Sequence, residues 1–264
     1  MNVIPLTPGD LSLCAVLVVL LAASSFTLEI GIHNQLLISA LRCTIQLLLV
    51  GLVLKFIFAT EQFLWLIIMA LIMLLVAGHA VCARQQRPLK GWWMYGIGTV
   101  SMCISSFTVT YFALQVIIDT SPWYKPQYSI PLLGMLLGNT MNGIAISIDR
   151  LTQSAWQQKA IIEQRLALGH TRKKAISNIA RDSMRSGMIP IINTMATTGI
   201  VSLPGMMTGQ ILAGSLPVEA VKYQILIIFL IAAGTGFGVI AAVQMTSRRL
   251  FDERHRLRLD RWSK

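Results

Sequence analysis

Apolar residues run in long blocks along this chain, and the polar positions gather between the blocks instead of alternating through them. A helix crossing the ~30 Å hydrocarbon layer of a bilayer needs about 20 mostly apolar residues. Seven stretches meet that requirement: Leu11–Leu28, Leu36–Phe58, Phe63–Ala83, Trp92–Ile118, Ile130–Ile148, Met188–Leu212 and Ile225–Met245. None carries the ten-residue alternation of a barrel strand, and only a helix satisfies every peptide group within its own segment. The pattern predicts an all-α, polytopic helical membrane protein with about seven transmembrane helices, forming one membrane domain over residues 1–264. Pro204-Gly205 interrupts the sixth stretch, so a broken helix is expected there.

Composition agrees with the pattern. Of 264 residues, 55% are apolar and 12% charged, and the mean hydropathy is +0.65; ordinary soluble domains are about one-quarter charged. A disordered chain, a disulfide-stapled secreted domain and a soluble enzyme are excluded. The charge is one-sided, with 22 Lys and Arg against 11 Asp and Glu. Eighteen of the 22 fall in three segments: three in 84–90, eight in 149–187 and seven in 248–264. Basic residues accumulate in loops that stay in the cytoplasm. If these segments share that side, the third, fifth and seventh spans exit inward, the N-terminus is outside and the tail over 246–264 is cytoplasmic. The first ten residues, MNVIPLTPGD, hold no Lys or Arg, which fits an outside N-terminus and a first span that is retained, not a cleaved signal. Nucleic-acid binding would want aromatics interleaved with the basic residues, and the two larger segments hold only Trp156, Phe251 and Trp262. The four cysteines form no C-x-x-C pair and are expected to be small buried apolar residues.

Residues 149–187 are the one sizeable polar stretch between spans. From Ser154, Trp156, Ala160, Ile162 and Leu166 recur at near-helical spacing. Gly169 suits a helix C-terminus, and Thr171 can cap a second helix with Ala175, Ile176, Ile179, Ala180, Ser183 and Met184 on one stripe. The segment therefore reads as helix, glycine turn, helix. Catalytic signatures are missing: no Gly-Lys pair exists to build a Walker A loop, and no HExxH or nucleophile elbow is present. The chain is expected not to be an enzyme.

Within that loop, EQRLALGHT places Glu163, Leu168, Gly169 and Thr171 in the spacing of the E-A-A-x-x-L-G-x-[ST] motif. It resembles the loop of ABC transporter permeases whose short cytoplasmic helix docks into a groove of the ATPase subunit. Gln164 and Arg165 replace the motif's two alanines, and the hydrophobic-Pro ending comes late, at Ile189-Pro190. Three longer stretches, LRCTIQLLLVGLVLKFIF, IPLLGMLLGNTMNGIAISIDRL and the segment containing SLPGMMTGQILAG, closely resemble the FetB-like permeases. That family is assigned to bacterial iron export, with plant relatives linked to aluminium tolerance and nucleotide-sugar transport. The resemblance implies a permease subunit in the bacterial inner membrane that dimerises and works with a separate FetA-type ATP-binding subunit. ATP and Mg would sit on that partner, with no cofactor in this chain. It also implies that Glu163, Leu168, Gly169 and Thr171 form the ATPase-coupling surface, where Arg172, Lys173 and Lys174 can meet carboxylates.

Candidate translocation residues are polar or helix-breaking positions inside spans. Arg42 and Gln46 lie one turn apart in the second span; Arg42 could instead reach headgroups by snorkelling. Asn139 and Asn142 offer amide oxygens to a passing cation, or serve close helix packing. Pro204, Gly205, Met206 and Met207 form the break in the sixth stretch; thioethers suit Cu(I) better than Fe(III), so with iron as cargo the methionines are packing or gate residues. Asp119, Glu61 and Glu219 are carboxylates at the expected outer face. No metal ligands are identified. Two alternatives stay open: a nucleotide sugar or other small solute as cargo, or an ATP-independent secondary transporter. The second usually carries embedded carboxylates, and none lies mid-span.

Overall fold

The computed structural model describes residues 7–60, 62–119, 122 and 124–262. Among them the fold is all-α, joined by turns and three isolated β-bridges. Two compact units emerge, residues 1–62 with 212–214, and residues 63–211 with 215–264.

The smaller unit is a pair of packed helices, α1 (Pro8–Thr27) and α2 (His33–Thr60). Thr7 and Asp10 close a capping box at the start of α1: the Asp10 N–H donates to Thr7 Oγ1, and the Thr7 N–H donates to Asp10 Oδ2. Both helices expose mostly apolar side chains, with Arg42, Gln46 and Lys55 the charged or amide interruptions within α2 beyond its first turn. Ile57 is the only buried residue of α2.

The larger unit is built on α6 (Pro126–Gln157), which packs against α3 (Phe63–Ala83), α9 (Ser177–Thr197) and α11 (Pro217–Arg249). Between α3 and α6 runs one helical rod, Trp93–Ile117, in which α4 (Trp93–Met102) and α5 (Thr108–Phe112) are each followed by a π turn. Buried Ser105 donates to the carbonyl of Ser101 at 2.8 Å, and Thr110 to that of Ser106 at 2.7 Å. The wider turns accommodate these competing bonds within a helix.

Glycine makes the central seam possible. A methyl added at Gly187 of α9 would stand 2.6 Å from the carbonyl oxygen of Gly143 on α6 and 2.7 Å from the Cβ of Ser147. At Gly238 of α11 the added carbon would meet Thr140 Cγ2 at 2.6 Å. Three backbones approach closely through small residues, the packing mode that lipid favours.

Among the described residues six helices are long and apolar enough to cross a membrane, and Met188–Leu212 is not one of them. Its residues divide between the end of α9 and the short α10 (Gly205–Leu212). The helix stops earlier than Pro204-Gly205 predicts. Thr198 turns to an extended conformation, its Oγ1 bonds back to Thr194, and Gly199 adopts φ +89° with its N–H donating to Ser202. The cysteines also differ from expectation. All four are free, but Cys14, Cys43 and Cys103 are exposed on apolar helices and only Cys82 is half-buried. In a bilayer a small apolar side chain needs no protein around it.

Candidate functional site

The segment 149–187 holds the expected glycine turn between helical arms, but each arm is broken: residues 149–157 continue α6, and the second arm divides at Ile176 before α9 begins. At Gln158 the backbone bends (φ −101°, ψ 22°) and α7 (Lys159–Ala167) begins. It ends in a Schellman motif: the Gly169 N–H donates to Leu166 and the His170 N–H to Arg165, with Gly169 at φ +82°. This is the conformation for which glycine is needed. Thr171 then caps α8 (Arg172–Ala175), its Oγ1 accepting the Lys174 N–H at 3.4 Å. Buried Ile162, Ala175, Ile176, Ile179 and Ser183 root the elbow in the larger unit's core.

Arg165, which departs from the alanine of the motif, has a local use. Its guanidinium donates to the carbonyl of Ala175 at 3.1 Å and so clamps α7 to the end of α8. The apex points away from the protein, with Leu168 78% exposed and Glu163, Gly169, Thr171, Lys173 and Lys174 also exposed. The predicted coupling residues are thus brought together on one projecting elbow, Arg172 half-buried at its root.

The translocation candidates are not brought together in that way. Arg42 and Gln46 are both exposed on α2, and no hydrogen bond or ion pair joins them. Asn139 spends its amide N–H on the carbonyl of Met135 at 2.8 Å. Asn142 accepts a hydrogen bond from Arg84 just beyond α3, so its side-chain oxygen is already engaged. Pro204, Met206 and Met207 are half-buried and Gly205 exposed, with Met206 packed against the cluster of Val109, Leu114, Leu132 and Leu136. Met206 thus makes apolar contacts within the larger unit. Asp119 is exposed, Glu219 is paired with Lys222 at 2.7 Å, and Glu61 lies outside the described residues. Among the described residues no three His, Cys, Asp or Glu are grouped to hold a metal ion.

The basic tail is a folded clasp, which periodicity could not anticipate. Phe251 and Leu257 form an antiparallel bridge, and the Arg256 N–H donates to Asp252 Oδ1 at 2.8 Å. Trp262, 3% exposed, then pairs with Leu89, and the Lys90 N–H donates to Arg261 at 2.8 Å. Its ring meets Trp156 edge-on at 5.8 Å, while Arg87 and Lys159 sit over Trp156 at 4.6 and 5.0 Å. One signal was available in the sequence: each large basic segment contains one Trp, and the two Trp meet. Two ion pairs stiffen the clasp, Arg256–Asp252 at 3.0 Å and Arg258–Asp260 at 2.8 Å. The Arg258 guanidinium bonded to Asp260 lowers that carboxyl to about 2, and the hydrogen bond from the Arg256 backbone lowers Asp252. The turn 254–257 and the elbow face each other across a recess of about 670 Å³ that contains Glu163, Gly169 and His170.

Sequence comparison adds what geometry cannot. Residues 8–251 match the uncharacterised protein family UPF0014. The UPF0014 membrane protein slr1647 of Synechocystis is 38% identical, over 86% of this chain and 87% of its own length. The probable iron export permease protein FetB of Escherichia coli is 33% identical over 97% of both chains. The protein ALUMINUM SENSITIVE 3 of Arabidopsis thaliana is 30% identical, over 92% of this chain and 87% of its own. No solved structure matches. A multi-pass helical membrane protein throughout, the chain belongs to the UPF0014 family.

Proposed function

We propose that this protein is the membrane subunit of an ABC transporter, an export permease that draws energy from a separate ATP-binding subunit of FetA type. The observation carrying this reading is the elbow: an exposed Leu168 apex held by a Schellman turn at Gly169 and a capped basic turn at Thr171–Lys174. Such a projection suits insertion into a groove on a soluble partner, where Arg172, Lys173 and Lys174 meet acidic side chains. Because Ile162 and Ile179 anchor it in the core, force applied at the apex reaches α6 and α9 directly.

In this reading the permease works as a homodimer in the bacterial inner membrane, with ATP and Mg bound by the partner and the elbow on the cytoplasmic side. The N-terminus is outside, following the basic segments. Iron is the first-choice cargo, by likeness to the Escherichia coli relative. A second cargo class, a small organic solute such as a nucleotide sugar, is favoured by the donors the candidates offer. The polar ones are the amides of Gln46, Asn139 and Asn142 and the guanidinium of Arg42, with no cluster of metal-ligating side chains among the described residues.

Replacing Gly169 with Leu forces an L side chain into a left-handed conformation and displaces the apex. Co-purification of the ATP-binding subunit should fall about tenfold, as a strain of 1–2 kcal/mol implies, while membrane insertion is unchanged. Undiminished co-purification would remove the elbow as the docking element.

A further inference from the structure

A groove of about 470 Å³ lies between the start of α9 and the end of α11. Its floor is apolar, with Ile176 and Met184; its rim carries Arg172, Lys173, Arg181 and Arg248, and no carboxylate lines it. None of these four cations forms an ion pair among the described residues, where the ion pairs are Lys222–Glu219, Arg256–Asp252 and Arg258–Asp260. Arg172 and Arg248 also border the adjoining arginine-lined recess of the tail. There Arg256 and Arg258 are paired, while Arg261 donates to the carbonyls of Arg249 and Phe251. In the groove wall the Ser247 hydroxyl is buried without a hydrogen-bond partner.

The level of the groove in the bilayer can be read from two independent features. The apolar run of α11 ends at Met245, and Arg248 follows within one turn. Beside it, Trp92 and Trp93 are 84% and 54% exposed at the start of the α4 rod, with the Arg249 guanidinium 3.9 Å over the Trp93 ring. Exposed Trp and Arg at a helix end mark the headgroup layer. The groove therefore joins an apolar floor to an uncompensated cationic rim at the depth where phospholipid phosphates lie.

We propose that this groove is a binding site for an anionic phospholipid, its headgroup held by Arg181 and Arg248 and its first acyl methylenes lying on Ile176 and Met184. Basic pockets between membrane helices recognise acidic headgroups by this chemistry. Since Arg172 and Lys173 belong to both the groove and the elbow, a bound lipid neutralises part of the elbow's root and sets its charge. The inference goes beyond the transporter reading and does not require it.

The test uses the purified full-length permease without any ATP-binding subunit. Native mass spectrometry in detergent measures retention of phosphatidylglycerol and of phosphatidylcholine with the same acyl chains. Phosphatidylglycerol should bind the unmodified protein more tightly. The double variant R181Q/R248Q should lower its affinity about 25-fold, about fivefold for each arginine, leaving phosphatidylcholine unaffected, and R181K/R248K should retain most of it. Equal retention of the two lipids by the unmodified protein, a result that needs no variant to fold, overturns the proposal. So does unchanged phosphatidylglycerol binding in R181Q/R248Q, or displacement of the lipid by millimolar glycerol phosphate, which would make the groove a site for soluble phosphates.

Discussion

Helices α2 and α6 are of similar length, and the more apolar of them is the one that packs less. Of the 28 residues in α2 one is buried, whereas in α6 seventeen of 32 are. Leu and Ile surround α2, while α6 carries Gly143, Thr140, Ser147 and Thr152 along its buried faces. Lipid tails solvate Leu as well as a protein interior does, so apolarity alone gives a helix no reason to pack. Close approach through small and hydroxyl residues does. In this protein the apolar pattern reports which segments enter the bilayer, and the interruptions of that pattern report which helices hold each other.

The same substitution made in both helices tests this contrast at its largest. Leu136→Ala in α6, where the side chain is fully buried, should cost about 2–3 kcal/mol through the cavity it leaves. Leu48→Ala in α2, 67% exposed, should cost less than about 0.5 kcal/mol. Unfolding of the purified protein in one detergent, followed by circular dichroism, measures both, and similar losses would break the comparison. Next in size is the seam itself. Gly187→Val should destabilise by about 1–3 kcal/mol through overpacking against Gly143 and Ser147, seen as a lowered apparent Tm; an unchanged Tm would mean the seam opens without cost.

How far the sequence revealed this depends on how local each signal is. The turn of the elbow was legible because Gly169 and Thr171 act on their own backbone; Ala175, Ile176 and Ile179, spaced like one helical stripe, are divided between α8 and α9 at Ile176. The end of α9 was misplaced because Thr198 and Gly199 stop the helix by local hydrogen bonds that an apolar window does not register. The Arg84–Asn142 bond and the Trp156–Trp262 contact join residues far apart in sequence, and no spacing encodes them. The tail therefore read only as a basic cytoplasmic run, although Trp262 is as buried as much of the helical core.

The smallest expected effect sharpens that last point. Asp252 and Asp260 have carboxyls held below the usual 3.8. A lowered carboxyl contributes stability that is complete above its unfolded value and is lost as pH falls through its folded one. The clasp should be insensitive to pH above about 5 and loosen between pH 4 and 2, only modestly, because Arg256, Arg258 and Asp260 are open to solvent and the pairs are screened from that side. Tryptophan fluorescence from Trp156 and Trp262 would follow it, and a transition centred near neutral pH would contradict the assignment.

The central claim of the proposed function is that this protein has no motor of its own and is driven through the elbow. Concentrative flux of iron, measured in vesicles containing the permease with and without its ATP-binding subunit, tests it most directly. The account predicts no uphill movement by the permease alone and ATP-dependent accumulation once the partner is present. Sustained uphill transport by the permease alone would contradict it.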